Sequence, residues 1–103
     1  MNYQNIDVQE FAQKMEQPDH VILDVRSPQE LSDGSIPGYT QINFFEADFK
    51  EQVSKLDPSK SYLIYCRSGN RSGKACGLMA SMGFSKLYNL KGGIGAWNAA
   101  QLV

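Results

Sequence analysis

The stretch Tyr62–Phe84, "YLIYCRSGNRSGKACGLMASMGF", decides the fold. Its first five residues, Tyr62–Cys66, are apolar and rich in aromatic and branched side chains, the composition of a buried strand. Its last part, Ser72–Met82, is rich in Ala, Leu and Met and runs into Gly83, which suits the left-handed position that closes a helix. Between them lies "RSGNR", two arginines with small and flexible residues. Strand, loop and helix in that order form half of a parallel α/β unit.

The same alternation continues on both sides. Upstream, "VILDV" (Val21–Val25) reads as a second buried strand. Before it, Asp7 and Glu10 are spaced as a capping box, and Val8, Phe11, Ala12 and Met15 recur at helical intervals, predicting an amphipathic helix. Ser27, Pro28 and Glu30 fit the first positions of a short helix, and "DGSIPGY" (Asp33–Tyr39) is turn chemistry. Ile42 is assigned to a short strand. Phe49, Val53 and Leu56 share a helical face that ends at Asp57-Pro58. Downstream, Leu87–Leu90 predicts a last short strand, and "KGGIGAWNAAQ" (Lys91–Gln101) a turn and helix. The expected fold is a small α/β single domain, residues 1–103, with a central, mostly parallel β-sheet flanked by helices.

Composition narrows the function. The chain has 103 residues, 42% hydrophobic and 20% charged, enough for one compact core. Ten basic and 11 acidic residues leave a net charge of −1 with no block of like charge, which argues against a nucleic-acid surface. No apolar run is long enough for a membrane span, and the opening segment lacks a signal peptide's pattern. Two cysteines do not make a disulfide framework, and a single histidine, His20, leaves zinc short of ligands. The expectation is a cytoplasmic, reducing setting with no metal or cofactor.

Chemistry concentrates at Cys66. In open α/β sheets ligands bind beyond the carboxyl ends of the strands, where Cys66 lies. The loop after it can curl its N–H groups into an anion cradle at the start of the next helix. A free thiol titrates near ~8.5. Helix N-termini and arginines bring such thiols into the range of roughly 3.5–7.5, so Cys66 is expected to ionise without a partner base. A cysteine ending a strand can instead be a small hydrophobe, but the two arginines and Gly69 directly after it weigh against that here. Cys76, inside the apolar helix beside Ala75, is read as core; His20 as a solvated turn residue; Trp97 as a core anchor.

"CRSGNRS" after a strand resembles the active-site loop of the rhodanese-like domains, a sulfurtransferase family. "ILDVRSPQEL" followed by "GSIPGYTQIN" resembles the family's upstream signature, and "GFSKLYNLKGGIGAW" its closing segment. Three ordered motifs cover about Val21 to Trp97, a specific match. The resemblance implies transfer of a sulfane sulfur from thiosulfate or a persulfide donor to a thiophilic acceptor, cyanide or a thiol, through a persulfide on Cys66. It implies Cys66 as nucleophile and Arg67, Ser68, Gly69, Asn70 and Arg71 as the substrate cradle, with Arg67 meeting an anionic donor and Arg71 bracing the loop. Asp24, Arg26 and Ser72 become supports beneath the site. Partners are small sulfur donors and acceptors, with a thiol protein such as a thioredoxin among the candidates. Ser35 stands where the family usually has His, and Tyr39 where it usually has Ala, which bears on substrate preference. Two alternatives stay open. One is a non-catalytic binding or regulatory module. The other is a cysteine phosphatase or arsenate reductase, disfavoured because those place five residues between Cys and Arg whereas Cys66 and Arg71 enclose four.

Overall fold

The computed structural model describes residues 2–101. In chain order the elements are β1 (Gln4–Ile6), α1 (Val8–Met15), β2 (His20–Asp24), a 3₁₀ helix (Pro28–Asp33), β3 (Thr40–Gln41), α2 (Phe49–Ser54), β4 (Ser61–Tyr65), α3 (Asn70–Ser81), β5 (Leu87–Leu90) and α4 (Gly93–Gln101). The five strands form one sheet in the order β1-β5-β4-β2-β3, every pair parallel.

β4 is the central strand, and all five of its residues are buried. Its side chains alternate between two cores, as the period of a strand requires. Tyr62 and Ile64, with Cys66 beyond the strand end, face Val53 of α2 and Ala75, Cys76 and Met79 of α3. Leu63 and Tyr65 face Phe11 of α1 and Ile94 and Trp97 of α4. Phe11 meets both Tyr65 and Trp97 edge to face, with ring centroids 6.5 and 6.2 Å apart. Trp97 is thus the core anchor expected of it.

The element ends follow local chemistry. Asp7 accepts the Glu10 N–H at 2.9 Å and starts α1. Glu30 takes hydrogen bonds from both the N–H and the hydroxyl of Ser27, each 2.9 Å, which fixes the turn after β2. Gly83, at φ 101°, closes α3 in a Schellman motif: its N–H reaches Ala80 O, and Phe84 N–H reaches Met79 O.

Several boundaries differ from the sequence expectation. β2 begins at His20, which is half-buried at the strand start rather than in a solvated turn. β3 is Thr40–Gln41 and stops before Ile42, whose N–H still bonds Asp24 O at 3.0 Å. The helix after Pro28 is 3₁₀. α3 starts at Asn70, two residues early, because Gly69 at φ 100° turns the loop directly into the helix. β1 was not anticipated: two of its three residues are exposed, leaving no apolar pattern to read.

Leu63 is fully buried in the central strand. Leu63→Ala is expected to destabilise the fold by about 2–5 kcal/mol, transfer and cavity costs together. Urea unfolding measures it; a loss under about 1 kcal/mol would contradict this packing.

Candidate active site

Cys66 follows the last residue of β4, and its carbonyl and sulfur meet different helices. The carbonyl accepts the Ile94 N–H of α4 at 2.9 Å, and the next carbonyl, of Arg67, accepts the Gly95 N–H at 3.4 Å. A side chain at Gly93 would collide with the backbone of Cys66 and Arg67, so only glycine lets α4 approach this closely. With its backbone held, Cys66 directs its sulfur to the N-terminus of α3. Sγ lies 3.2 Å from the Gly69 N–H, 3.4 Å from the Ser72 N–H and 3.3 Å from the Ser72 hydroxyl.

Cys66 is fully buried, and burial pushes its thiol up. The Ser72 hydroxyl and the N–H groups of Ser72, Ser68 and Gly69 outweigh that and hold it below its ordinary value. Cys76 is equally buried but lacks such donors. Burial, and then the charge on Cys66, push it up to about 12. One cysteine is poised to ionise; the other is a core side chain.

The remaining loop residues divide. Arg67, Ser68 and Asn70 are exposed, and Gly69 is half-buried. Arg71 does not offer its guanidinium to a ligand: it makes a bidentate pair with Glu30, both contacts 2.7 Å, and stacks over Phe45 at 5.4 Å. Expected both as part of the cradle and as its brace, it is occupied here as a brace would be, because a guanidinium already forked onto a carboxylate has its best donors taken. Ser72, expected beneath the site, instead touches the sulfur directly. The Arg71 pair holds the Glu30 carboxyl down, from an ordinary 4.5 to about 2.

Asp24 and Arg26 form a fully buried ion pair, 2.7 Å at its shortest. Asp24 also accepts the Arg26 N–H at 2.9 Å and the Tyr65 hydroxyl at 2.8 Å. Arg26 donates onward to the carbonyls of Glu30 at 3.1 Å and Gly34 at 2.8 Å. Tyr65 in turn accepts the Ile36 N–H at 3.1 Å. Sequence reasoning paired Asp24 with Arg26 but missed Tyr65, Glu30 as the partner of Arg71, Gly93, and Asn89, which bonds the Ser72 hydroxyl. Glu30 was visible only as a helix-start residue and Tyr65 only as a strand residue. Ser35 is exposed, and Tyr39 packs against the core cluster of α1 and α4.

Comparison with known proteins places this geometry. A family model described as "Rhodanese-like domain" matches residues 7–100. A protein named "Sulfurtransferase" from Allochromatium vinosum is 34% identical over 89% of this chain and 85% of its own length. "Thiosulfate sulfurtransferase GlpE" of Pseudomonas savastanoi is 33% identical over 87% and 83%. The crystal structure of a rhodanese-related protein from Thermoplasma volcanium superposes with a TM-score of 0.82 over 95% of this chain and 93% of that one, at 28% identity.

Two outcomes follow from the charged network. Asp24→Ala strands a buried guanidinium and is expected to cost about 3–5 kcal/mol in urea unfolding; a loss below about 1 kcal/mol would show the pair is not needed. Glu30, with its carboxyl lowered, contributes stability that is complete above its ordinary value and is lost as pH falls from 4.5 toward about 2. The gap in unfolding midpoint between wild type and Glu30→Gln is therefore constant near neutrality and closes in that acid window. A gap that stays constant down to about pH 2 would refute the assignment.

Proposed function

Because the chain belongs to the rhodanese-like domain family, we propose that it is a sulfurtransferase working through a persulfide on Cys66, with thiosulfate or a small persulfide as donor. The observation that carries this reading is the set of hydrogen-bond donors on a buried sulfur with no side-chain base among its described hydrogen-bond partners. The loop itself lowers the thiol, so the nucleophile needs no partner base to ionise.

In the first half-reaction the Cys66 thiolate attacks the outer sulfur of thiosulfate. A sulfur–sulfur bond forms to Sγ, the bond to the sulfonate breaks, and its electron pair leaves with sulfite. The terminal sulfur keeps the negative charge, and we assign the N–H groups of the loop to its stabilisation. In the second, a thiophilic acceptor such as cyanide or a thiol takes that sulfur and returns the thiolate. Arg67, exposed beside Cys66, is the side chain we assign to the anionic donor. A thiol protein of the thioredoxin kind is the acceptor we assign alongside small thiols, in a reducing compartment that keeps both cysteines free. No described helix is long and apolar enough to cross a membrane.

The same geometry disfavours phosphate chemistry. Four residues separate Cys66 from Arg71, and the guanidinium that would clamp phosphate oxygens is held by Glu30. Aryl phosphates are expected to go unhydrolysed.

Intact mass after thiosulfate treatment tests the proposal. The wild type and Cys76→Ala gain one sulfur atom; Cys66→Ser gains none. A sulfur atom on the Cys66→Ser protein would overturn it. Arg67→Ala is expected to raise the thiosulfate KM by about tenfold or more, the worth of a charge-assisted hydrogen bond, with kcat less affected. An unchanged KM in a folded variant would remove Arg67 from the donor site.

A further inference from the structure

Asn89 belongs to β5, away from the cysteine loop in sequence, yet it is buried against the nucleophile's surroundings. Its amide nitrogen donates to the backbone carbonyl of Gly69 at 3.1 Å and to Asn5 Oδ1 of β1 at 2.9 Å. A backbone carbonyl accepts only, so the Gly69 contact fixes which end of the amide is which. The carbonyl end, Oδ1, therefore faces the Ser72 hydroxyl and is hydrogen-bonded to it.

That hydroxyl has one proton and two acceptors within reach, Asn89 Oδ1 and Cys66 Sγ at 3.3 Å. It serves one at a time. When Sγ carries a full negative charge, it is the stronger acceptor and draws the proton. When Sγ is bonded to a second sulfur, the charge sits on the terminal atom and Sγ is a poor acceptor. The buried hydroxyl then needs another partner, and Asn89 Oδ1 is already in place.

We propose that Asn89 is a positioning residue that acts through Ser72, accepting the hydroxyl's hydrogen bond when Cys66 is loaded with sulfur and yielding that bond to Sγ when the thiolate returns. This deepens the sulfurtransferase reading and rests on it for the loaded state. The competition for the hydroxyl proton does not depend on any substrate. Among the described residues, Arg71 and Cys76, both on α3, are charged or ionisable groups that sense the Cys66 charge. The variants below leave both in place.

The sign of one measurement separates this role from a merely structural one. If Asn89 only holds the loop, removing it lets the amides drift from the sulfur and the Cys66 pKa rises. If Asn89 competes for the hydroxyl, removing it commits that proton to Sγ and the pKa falls. Asn89→Leu, of similar size, is the first variant, with Asn89→Ala as the smaller change should the leucine form not fold. Thermal melting checks the fold of each. The pH dependence of iodoacetamide alkylation at Cys66, followed by peptide mass without any sulfur donor, gives the pKa. We expect a fall of about half a unit, about threefold in the acid dissociation constant. The same substitution made on Ser72→Ala is expected to bring no such fall, since there is no hydroxyl to redirect. In titrations with thiosulfate against added sulfite, the loaded fraction of Asn89→Leu is expected to drop by about threefold or more, because the persulfide has lost its hydroxyl partner. A pKa that rises or stays put, a fall that persists in the Ser72→Ala background, or an unchanged loading equilibrium would each overturn the proposal. Failure of the wild type to take up sulfur at all would instead overturn the sulfurtransferase reading, while the alkylation result would still stand for Asn89.

Discussion

A carboxylate that meets no water organises this molecule. Asp24 ends β2 deep in the sheet, and a buried charge of that kind persists only if its lone pairs are fully occupied. Arg26 and the Tyr65 hydroxyl occupy them. Satisfying Asp24 thereby buries Arg26, whose remaining N–H groups must also find acceptors, and the carbonyls of Glu30 and Gly34 supply them. The segment after β2 is drawn in against the sheet as a consequence. It brings the Glu30 side chain to Arg71, and Arg71 sits in the first turn of α3. A run of hydrogen bonds thus leads from a core carboxylate to the helix that faces the sulfur, its first steps demanded by desolvation and its last, Glu30 to Arg71, made between half-buried side chains.

The sulfur is governed by a contest between two large effects. Removing a thiolate from water costs several kcal/mol, and a hydrogen bond to a charged acceptor returns about 1.5–3 kcal/mol. One donor does not balance the account; several together do, and the direction of the Cys66 shift shows that they prevail. Cys76 is the internal control. It lies in α3, the helix that follows the cysteine loop, with the same burial but without the donors, and burial wins there. Reactivity in this fold is a property of where N–H groups point, and Gly69 in its left-handed conformation is the residue that aims them.

Much of this was legible in the sequence, for local reasons. β4, the cysteine loop and α3 are adjacent in the chain and written in strong signals: a continuous apolar run, a glycine-bearing turn, a helix former's composition. Asp7 announced α1 and Gly83 ended α3 by chemistry confined to a few residues. What escaped is non-local. Glu30 and Arg71 lie 41 residues apart, as do Tyr65 and Asp24, and Asn5 and Asn89 lie 84 apart. Each of these residues has an ordinary local reading that hides its partner. β1 escaped because its exposed edge positions carry no apolar period, and its place is set by pairing with β5 rather than by its own composition.

The tie between Asn5 and Asn89 has a consequence for the birth of the protein. A chain leaves the ribosome N-terminus first. Cys66 therefore emerges before Asn89 of β5 and before Ile94, whose N–H holds the Cys66 carbonyl. Until both have followed, β4 has β2 beside it but not β5, and the cysteine loop lacks the bonds from Asn89 and Ile94. The last supports of the cysteine loop thus arrive with β5 and α4, so the cradle is complete only once the chain has been made through Ile94.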